Sequence, residues 1–359
     1  VFGPEPTGRV PGPQDAIELD DTFLSGNPLA YFESRIHGLI AARADPVSDL
    51  EEQYLRVLGT RSEDLDVDDD ARALQVALDA FALRHHVAET LLRFIVAVVD
   101  ARDSACGTRC LWYHATDSPI RLEDLLKRYR NISERDDVVD VLLQVLLPAE
   151  LRSPATTDPG LKQAVGVMVS WLDRALFLLQ RQDLNLNGIA NKIKHGLVTR
   201  ARSDLRVDLF KRQRDGDEPE VSASVLNGPD TIKLFDAIAV ETLGRPASKE
   251  AFEHTVVMLR PAPLLAEAHM MARVHAAAFH VAAVAHLGSR DAYTPAPYPK
   301  LALGPEPDAV HRNAVVGSRR PVTFHSNGLP STRKRGIADE THFVPLTVQG
   351  PPVEMTVTE

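Results

Sequence analysis

The chain has 359 residues, of which 44% are hydrophobic, 25% charged and only 6% aromatic. That balance describes a globular protein with enough chain for one large or two modest domains, and it excludes a fibre or a disordered tail. The formal net charge of −10 excludes a general coater of nucleic acid.

Residues 1–28 are rich in proline and glycine without a sustained period, so they read as an extended arm. Helical spacing predicts helices over 29–44 and 48–58, the second with Ser48 as N-cap and Glu51 three residues on. The acidic run 64–70 holds an Asp-x-Asp-x-Asp pattern, but Ala71 and Ala77 stand where a calcium loop needs Gly and Glu. It reads instead as favourable charge at the start of the next helix. There Leu74, Leu78, Phe81, His85, Ala88, Leu92, Ile95 and Val99 step by four and three alternately. That seam predicts a long helix over 70–102, of the kind bundles use.

Shorter helices are predicted at 122–129 and 136–147, and a long one at 161–182. Asn187 caps a further helix that carries Asn191 and His195. The period then changes. Residues 205–210, 221–226 and 231–242 read as strands joined at Asp215-Gly216 and Asn227-Gly228. Helix returns at 248–259, breaks at Pro261 and Pro263, and resumes to 287. The proline-rich remainder, 289–359, has little period and is expected to wrap the surface or remain mobile. The expected fold class is mainly α. A helical bundle over 29–288 holds a small antiparallel β meander at about 205–242, between irregular ends at 1–28 and 289–359.

The longest uninterrupted apolar run, 94–99, is far short of a bilayer span. No N-terminal segment pairs a basic start with an apolar run, which predicts no secretory signal. Two cysteines build no disulfide framework. A cytoplasmic protein without membrane contact is expected. Phosphate loops of the Gly-x-x-x-x-Gly-Lys type, Gly-x-Gly-x-x-Gly, Gly-x-Ser-x-Gly and His-Glu-x-x-His are all missing, which disfavours ATPases, dinucleotide enzymes, the usual serine hydrolases and zincins.

Charge is unevenly placed. Residues 1–80 hold 17 acids against 6 arginines, a net of −11, which leaves +1 for the other 279 residues. Within those, 190–214 carry 8 Lys and Arg against 2 Asp, a net of +6. A solvated basic surface is the bland explanation; a local phosphate site is the sharper one.

Several clusters have chemistry, each with a bland counterpart. His85, His86 and Glu89 lie close on the long helix, but helical di-metal sites want two Glu-x-x-His motifs, so a core histidine bonded to a neighbouring helix is expected. Cys106, Cys110 and His114 are spaced by four, but a fourth zinc ligand is missing locally, so buried free cysteine is expected. His269, Arg273 and His280 share one face of the late helix, and His275 and His286 another; the polar stripe lines a cleft or, the favoured reading, faces solvent.

The remaining candidate is the stretch 187–196. Asn191 and His195 are four apart and project from one side of a helix, with Lys194 flanking that side and Lys192 near its other edge. Imidazole moves a proton near neutral pH, ammonium neutralises phosphate, and an amide orients a hydroxyl or a phosphate oxygen. Gly196 ends or bends the helix, placing His195 at an exposed terminus. A helix C-terminus decorated with bases that favour the dipole is the bland alternative.

This stretch resembles the signature helix of the HEPN superfamily, compact helical bundles linked to nucleotide or RNA binding. Asn191, His195 and Gly196 fit the family frame of Arg, polar residue, His and small residue, but Ala190 stands at the Arg position. In active members Arg and His act together on RNA, usually across a dimer. The resemblance, over about 66–203, therefore implies a binding or regulatory relative and a homodimer, unless Lys192, Lys194 or Arg200 takes the role of the Arg. The expected function is binding of RNA or a nucleotide phosphate, with metal-free RNA cleavage as its catalytic version. His195 would move the proton, Asn191 would orient, and Lys192, Lys194, Arg200 and Arg202 would hold phosphate. No metal or cofactor is expected. The alternative is a non-catalytic interaction or assembly protein.

Overall fold

A computed structural model of the chain describes residues 12–44, 69–103, 110–116, 121–181, 186–194, 199–202, 238–244, 252–288, 293–310, 315–322, 336–338 and 343–345. The fold is mainly α, with a small antiparallel sheet. The chain divides into two units: Val1–Gln180 with Ala262–Val310, and Arg181–Pro261 with His311–Glu359.

The first unit is a helical bundle. It is built from α1 (Pro13–Leu24), α2 (Pro28–Ala44), α3 (Asp69–Asp103), α4 (Leu111–Thr116), α5 (Leu122–Ser133), α6 (Val138–Leu146), the single turn α7 (Ala149–Arg152), α8 (Pro159–Gln180) and α10 (Pro261–Leu287). Helix α9 (Leu186–Lys194) belongs to the second unit, and another single turn, α11 (Pro307–Val310), closes the first. Local chemistry sets the helix starts. Asn27 Oδ1 accepts from Ala30 N at 3.1 Å to cap α2, and Asp158 Oδ1 accepts from Leu161 N at 2.8 Å to cap α8. Prolines at the first positions of α1, α8 and α10 lack only N–H groups that a first turn leaves unbonded. Pro263 sits in that turn too, so the break expected at Pro261 and Pro263 is a helix start.

Helix α3 is the centre of the bundle, with α2, α4, α5, α6 and α8 against it. The expected seam is buried at Phe81, His85, Ala88, Leu92, Ile95 and Val99, and so is an adjoining stripe at Ala80, Leu83, Val87, Leu91 and Phe94, while Gln75 and His86 on the remaining face are exposed and Glu89, Arg93 and Asp100 half-buried. Burying a large apolar side chain is worth roughly 1.5–3 kcal/mol, so this wide apolar face holds the helix among its neighbours. Helix α10 is buried in the same manner, and its Phe279 meets Phe94 at 5.5 Å between ring centroids.

The arm expected at 1–28 carries helix α1. Its buried positions are Ala16, Asp20 and Leu24, so an acid interrupts the apolar period that would have marked it. Asp20 is there because its carboxylate caps α4: Oδ2 accepts from Leu111 N and Oδ1 from Trp112 N, both at 2.8 Å, and the Cys110 thiol lies 3.4 Å from Oδ1. Asp20→Ala is expected to lower stability by about 1–2 kcal/mol, the loss of a two-donor cap. A urea midpoint unchanged from the parent would show that the cap contributes nothing.

The second unit holds, among the described residues, a six-stranded antiparallel meander in sequential order, β1 (Thr199–Arg202), β2 (Ile238–Gly244), β3 (Phe252–Leu259), β4 (Val315–Val322), β5 (Gly336–Ala338) and β6 (Phe343–Pro345). Only the last of the three expected strands, 231–242, overlaps a described strand, β2; 203–237 lie outside the described residues, as does the helix expected at 48–58. The helix expected at 248–259 is strand β3. Val256, Val257, Met258 and Leu259 are all buried, so both faces of the strand are covered and the two-residue alternation that marks a half-buried strand is missing. The C-terminal region expected to be irregular contributes β4, β5 and β6. Strand β4 pairs with β3 across the whole of α10, a long-range pairing that local pattern does not announce.

Residues 293–306 have no regular structure and run as an extended strap over the bundle. Bundle side chains hold it through its carbonyls. Trp171 Nε1 donates to Pro305 O at 3.0 Å, Gln163 Nε2 to Leu303 O at 2.9 Å, His280 Nδ1 to Ala296 O at 2.6 Å, and Arg273 Nη2 to Lys300 O. In the other direction, Tyr298 Oη of the strap donates to Leu146 O at 2.8 Å. Prolines cannot donate from their nitrogens, so a proline-rich segment is recognised by donors aimed at its oxygens. The expectation that this region wraps the surface holds for these residues.

Candidate functional site

The stretch singled out in the sequence falls in the second unit. Helix α9 is amphipathic: Leu186 and Ile189 are buried, and Asn191 is exposed. The helix starts at Leu186, so Asn187 lies inside its first turn and not at the cap position expected. Lys192 is half-buried, and the described helix runs to Lys194. His195 and Gly196 lie outside the described residues. The chain resumes in β1, the first strand in the order of the sheet, which carries Arg200 and Arg202 at alternate positions. Arg200 is in register with Glu241 and Arg202 with Ala239. Opposite charges facing across a ladder attract, so Arg200 has an acid at its own register position and Arg202 has an alanine. Asn191, Lys192 and Lys194 thus lie on α9 and Arg200 and Arg202 on β1, all within the second unit. Lys194 and Arg200 are six positions apart, so at most about 20 Å separates them, a length that takes in several phosphates of a nucleic acid strand.

The histidine clusters of the first unit have other roles. His85 is buried, and its Nδ1 lies 3.1 Å from Phe81 O, so that nitrogen carries the proton and Nε2 is left as an acceptor without a hydrogen-bond partner. Its bond goes to its own helix, not to the neighbouring one expected. Burial, with the Arg84 charge beside it, pushes its pKa down to about 3. His86 is exposed and meets Arg35 Nη1 at 3.2 Å, while Glu89 is held by Arg93 at 2.6 Å. Cys110 is a buried free thiol, as expected, and burial raises its pKa; Cys106 lies outside the described residues. Among the described residues, no group of three His, Cys, Asp or Glu is placed to hold a metal ion.

The polar stripe of α10 is not the solvent-facing surface expected. Arg273 and His280 are half-buried beneath the strap that they hold. His269 is half-buried too, and desolvation, followed by the nearby Arg273 charge, lowers its pKa. His275 is fully enclosed, its ring 5.0 Å from Phe94 and 6.1 Å from Phe32, and burial pushes its pKa down to about 4. His286 pairs with Asp21 at 2.7 Å.

Two features of the first unit have no signal in the sequence. Glu267 on α10 is buried between Arg84 of α3 and Arg174 of α8, each at 2.8 Å. None of the three has a charged neighbour at helical spacing that would have suggested the pairing. The other is a shallow crevice between α8, α10 and the strap, of about 20 Å³, room for about one water molecule. Trp171, which donates to the strap, also lines it.

Among the described residues, no helix is long and apolar enough to cross a membrane. In comparisons with known proteins, no family model, no curated protein and no solved structure matches this chain.

Proposed function

We propose that this chain is a HEPN-like protein that binds RNA or a nucleotide phosphate through the end of α9 and strand β1, in a reducing cell interior and as a homodimer. The observation that carries the reading is the run of cationic positions, Lys192, Lys194, Arg200 and Arg202, over one helix end and the next strand. Asn191 supports it, as an exposed amide on the same helix whose buried side is Leu186 and Ile189. An acidic protein with its bases gathered in one segment attracts an anion locally while the rest of its surface repels it. With Ala190 at the Arg position, binding is the primary activity. In the catalytic version His195 moves the proton and Asn191 orients the attacking hydroxyl.

The test is fluorescence polarisation with a labelled single-stranded RNA of twelve nucleotides, across a salt series. The parent is expected to bind, with affinity falling as salt rises. The Lys192→Ala/Lys194→Ala pair is expected to weaken binding at every salt concentration, and to lower the slope of the log–log plot by about 0.7 for each phosphate that is no longer neutralised. Absence of binding at low salt, or a slope the pair leaves unchanged, refutes the proposal. Cleavage of total RNA by parent and His195→Ala separates the two versions: equal cleavage removes the catalytic one. A homodimer is checked by light scattering of the parent.

A further inference from the structure

We propose that the phosphate site on α9 and β1 continues across one face of the sheet to Arg320 of β4, and that its ligand is a single strand of RNA several nucleotides long, not a mononucleotide. This rests on the reading of α9 and β1 as a phosphate site. Register assigns the faces. Residues directly opposite each other in an antiparallel ladder share a face, and so do alternate residues of one strand. Arg200 is opposite Glu241, and Glu241 is opposite Val256. His254, two positions from Val256, is opposite Arg320. Arg200, Arg202, His254 and Arg320 therefore lie on one face, whereas Arg319, opposite Thr255, lies on the other.

Charge divides unequally between the faces. Among the described strands, three arginines share the first face with Glu241, while on the second Arg319 is matched by Glu253. An excess of positive charge gathered on one face attracts an anionic strand to that face. Residues 255–259 are buried and His254 is half-buried, so burial along β3 ends at the row of His254 and Arg320. Distance then selects the ligand. Neighbouring strands lie about 4.8 Å apart, which puts β4 about 14 Å from β1. The phosphates of one nucleotide are joined through single bridging oxygens and do not reach across that width. A polynucleotide carries one phosphate per ribose and crosses it within a few nucleotides. An imidazole beside a guanidinium also offers a stacking surface to an unpaired base, whereas a duplex keeps its bases within its own stack.

The full chain is tested by fluorescence polarisation with a labelled oligouridylate of twelve nucleotides. Arg320→Ala is expected to weaken binding about fivefold and to lower the slope of log affinity against log salt by about 0.7, the loss of one neutralised phosphate. Arg319→Ala removes the same charge one position along, on the other face, and is expected to stay within about twofold of the parent with its slope unchanged. The two variants thus separate a local contact from a general loss of charge. Arg320→Lys keeps the charge and is expected to retain the parent slope, and far-UV circular dichroism checks that each variant is folded. In competition against the parent alone, which needs no variant, an unlabelled oligouridylate of six nucleotides is expected to displace the probe. Uridine monophosphate and a blunt RNA duplex, at the same phosphate concentration, are expected not to. Equal effects of Arg319→Ala and Arg320→Ala, or displacement by the monophosphate or the duplex as effective as by the six-mer, overturn this inference. If the Lys192→Ala/Lys194→Ala pair still lowers the slope, phosphate binding at α9 stands without it. A parent that binds no RNA at low salt overturns both.

Discussion

Glu267→Leu is expected to destabilise the helical bundle by about 3–5 kcal/mol, the cost of leaving buried charge uncompensated. Glu267 and Arg84 are fully buried and Arg174 nearly so, and the carboxylate sits between the two guanidiniums at 2.8 Å from each. Each guanidinium also lies over a ring, Arg84 at 5.2 Å from the Phe81 centroid and Arg174 at 5.4 Å from that of Phe177. Those ring contacts persist in the variant but are worth about 0.5–2 kcal/mol apiece, too little to replace the acid. Glu267→Gln keeps the shape and one acceptor oxygen, so a loss of about half that size is expected. The three side chains come from three helices, α3, α8 and α10, so the triad also penalises any packing in which those helices slip relative to one another. Urea denaturation followed by circular dichroism measures both variants. A leucine variant within about 1 kcal/mol of the parent would show that the triad is not holding charge against desolvation.

Acidification is the second large effect. Below pH 6.5 an unfolded histidine takes up a proton, whereas His85 and His275 in the folded bundle stay neutral until about 3 and about 4. The unfolded state therefore binds more protons in that window, and stability must fall as pH falls through it. The contribution is fully present above pH 6.5. It declines by about 1.4 kcal/mol per pH unit for each histidine, so about 2 kcal/mol each is lost by pH 5. For a domain of this size the combined loss corresponds to a fall in Tm on the order of 10 °C between pH 7.5 and 5. The cause is enclosure. The His275 ring is packed against Phe32 of α2, Phe94 of α3 and Phe279 of its own helix, and Nδ1 has no hydrogen-bond partner, so a charge there would lose its water and gain nothing. His275→Leu keeps the volume apolar and removes one titrating group. The slope of Tm against pH between 6.5 and 5 is expected to fall by about half in that variant. An unchanged slope would mean that His275 is not the group that titrates.

Both predictions rest on buried polar residues, which are the places where pattern reading is least informative. In α3 the apolar seam is legible and the helix bounds agree closely with those expected, because eight apolar or aromatic positions at helical spacing leave no other economical arrangement. Arg84 in the same helix looks, in sequence, like an ordinary surface cation. Its burial depends on Glu267, more than 180 positions away, and no local rule connects them. Strand β3 reads as a helix for a related reason. Successive residues Val256 to Leu259 are all buried, so neither the period of a half-buried strand nor that of a helix is displayed. Helix α1 is hidden by one acid, Asp20, whose placement inside is justified only by two amide groups of α4. The candidate site is legible as a set of chemistries, Asn191, Lys192, Lys194, Arg200 and Arg202, but its division between a helix and a strand in register with Glu241 is not.

Spacing and composition by themselves determined that this protein is mainly helical, where its principal helices run, that it carries a small antiparallel sheet, and where its positive charge is gathered. These are local properties: a helix or a charge cluster is written within a few turns of chain. Only the tertiary structure decided which side of the α10 stripe meets water, which arginines are buried with Glu267, that strands distant in sequence share one sheet, and that a proline-rich strap roofs a crevice with a cationic rim. Those outcomes depend on partners far apart in sequence, whose desolvation and pairing energies exist only once the chain has brought them together.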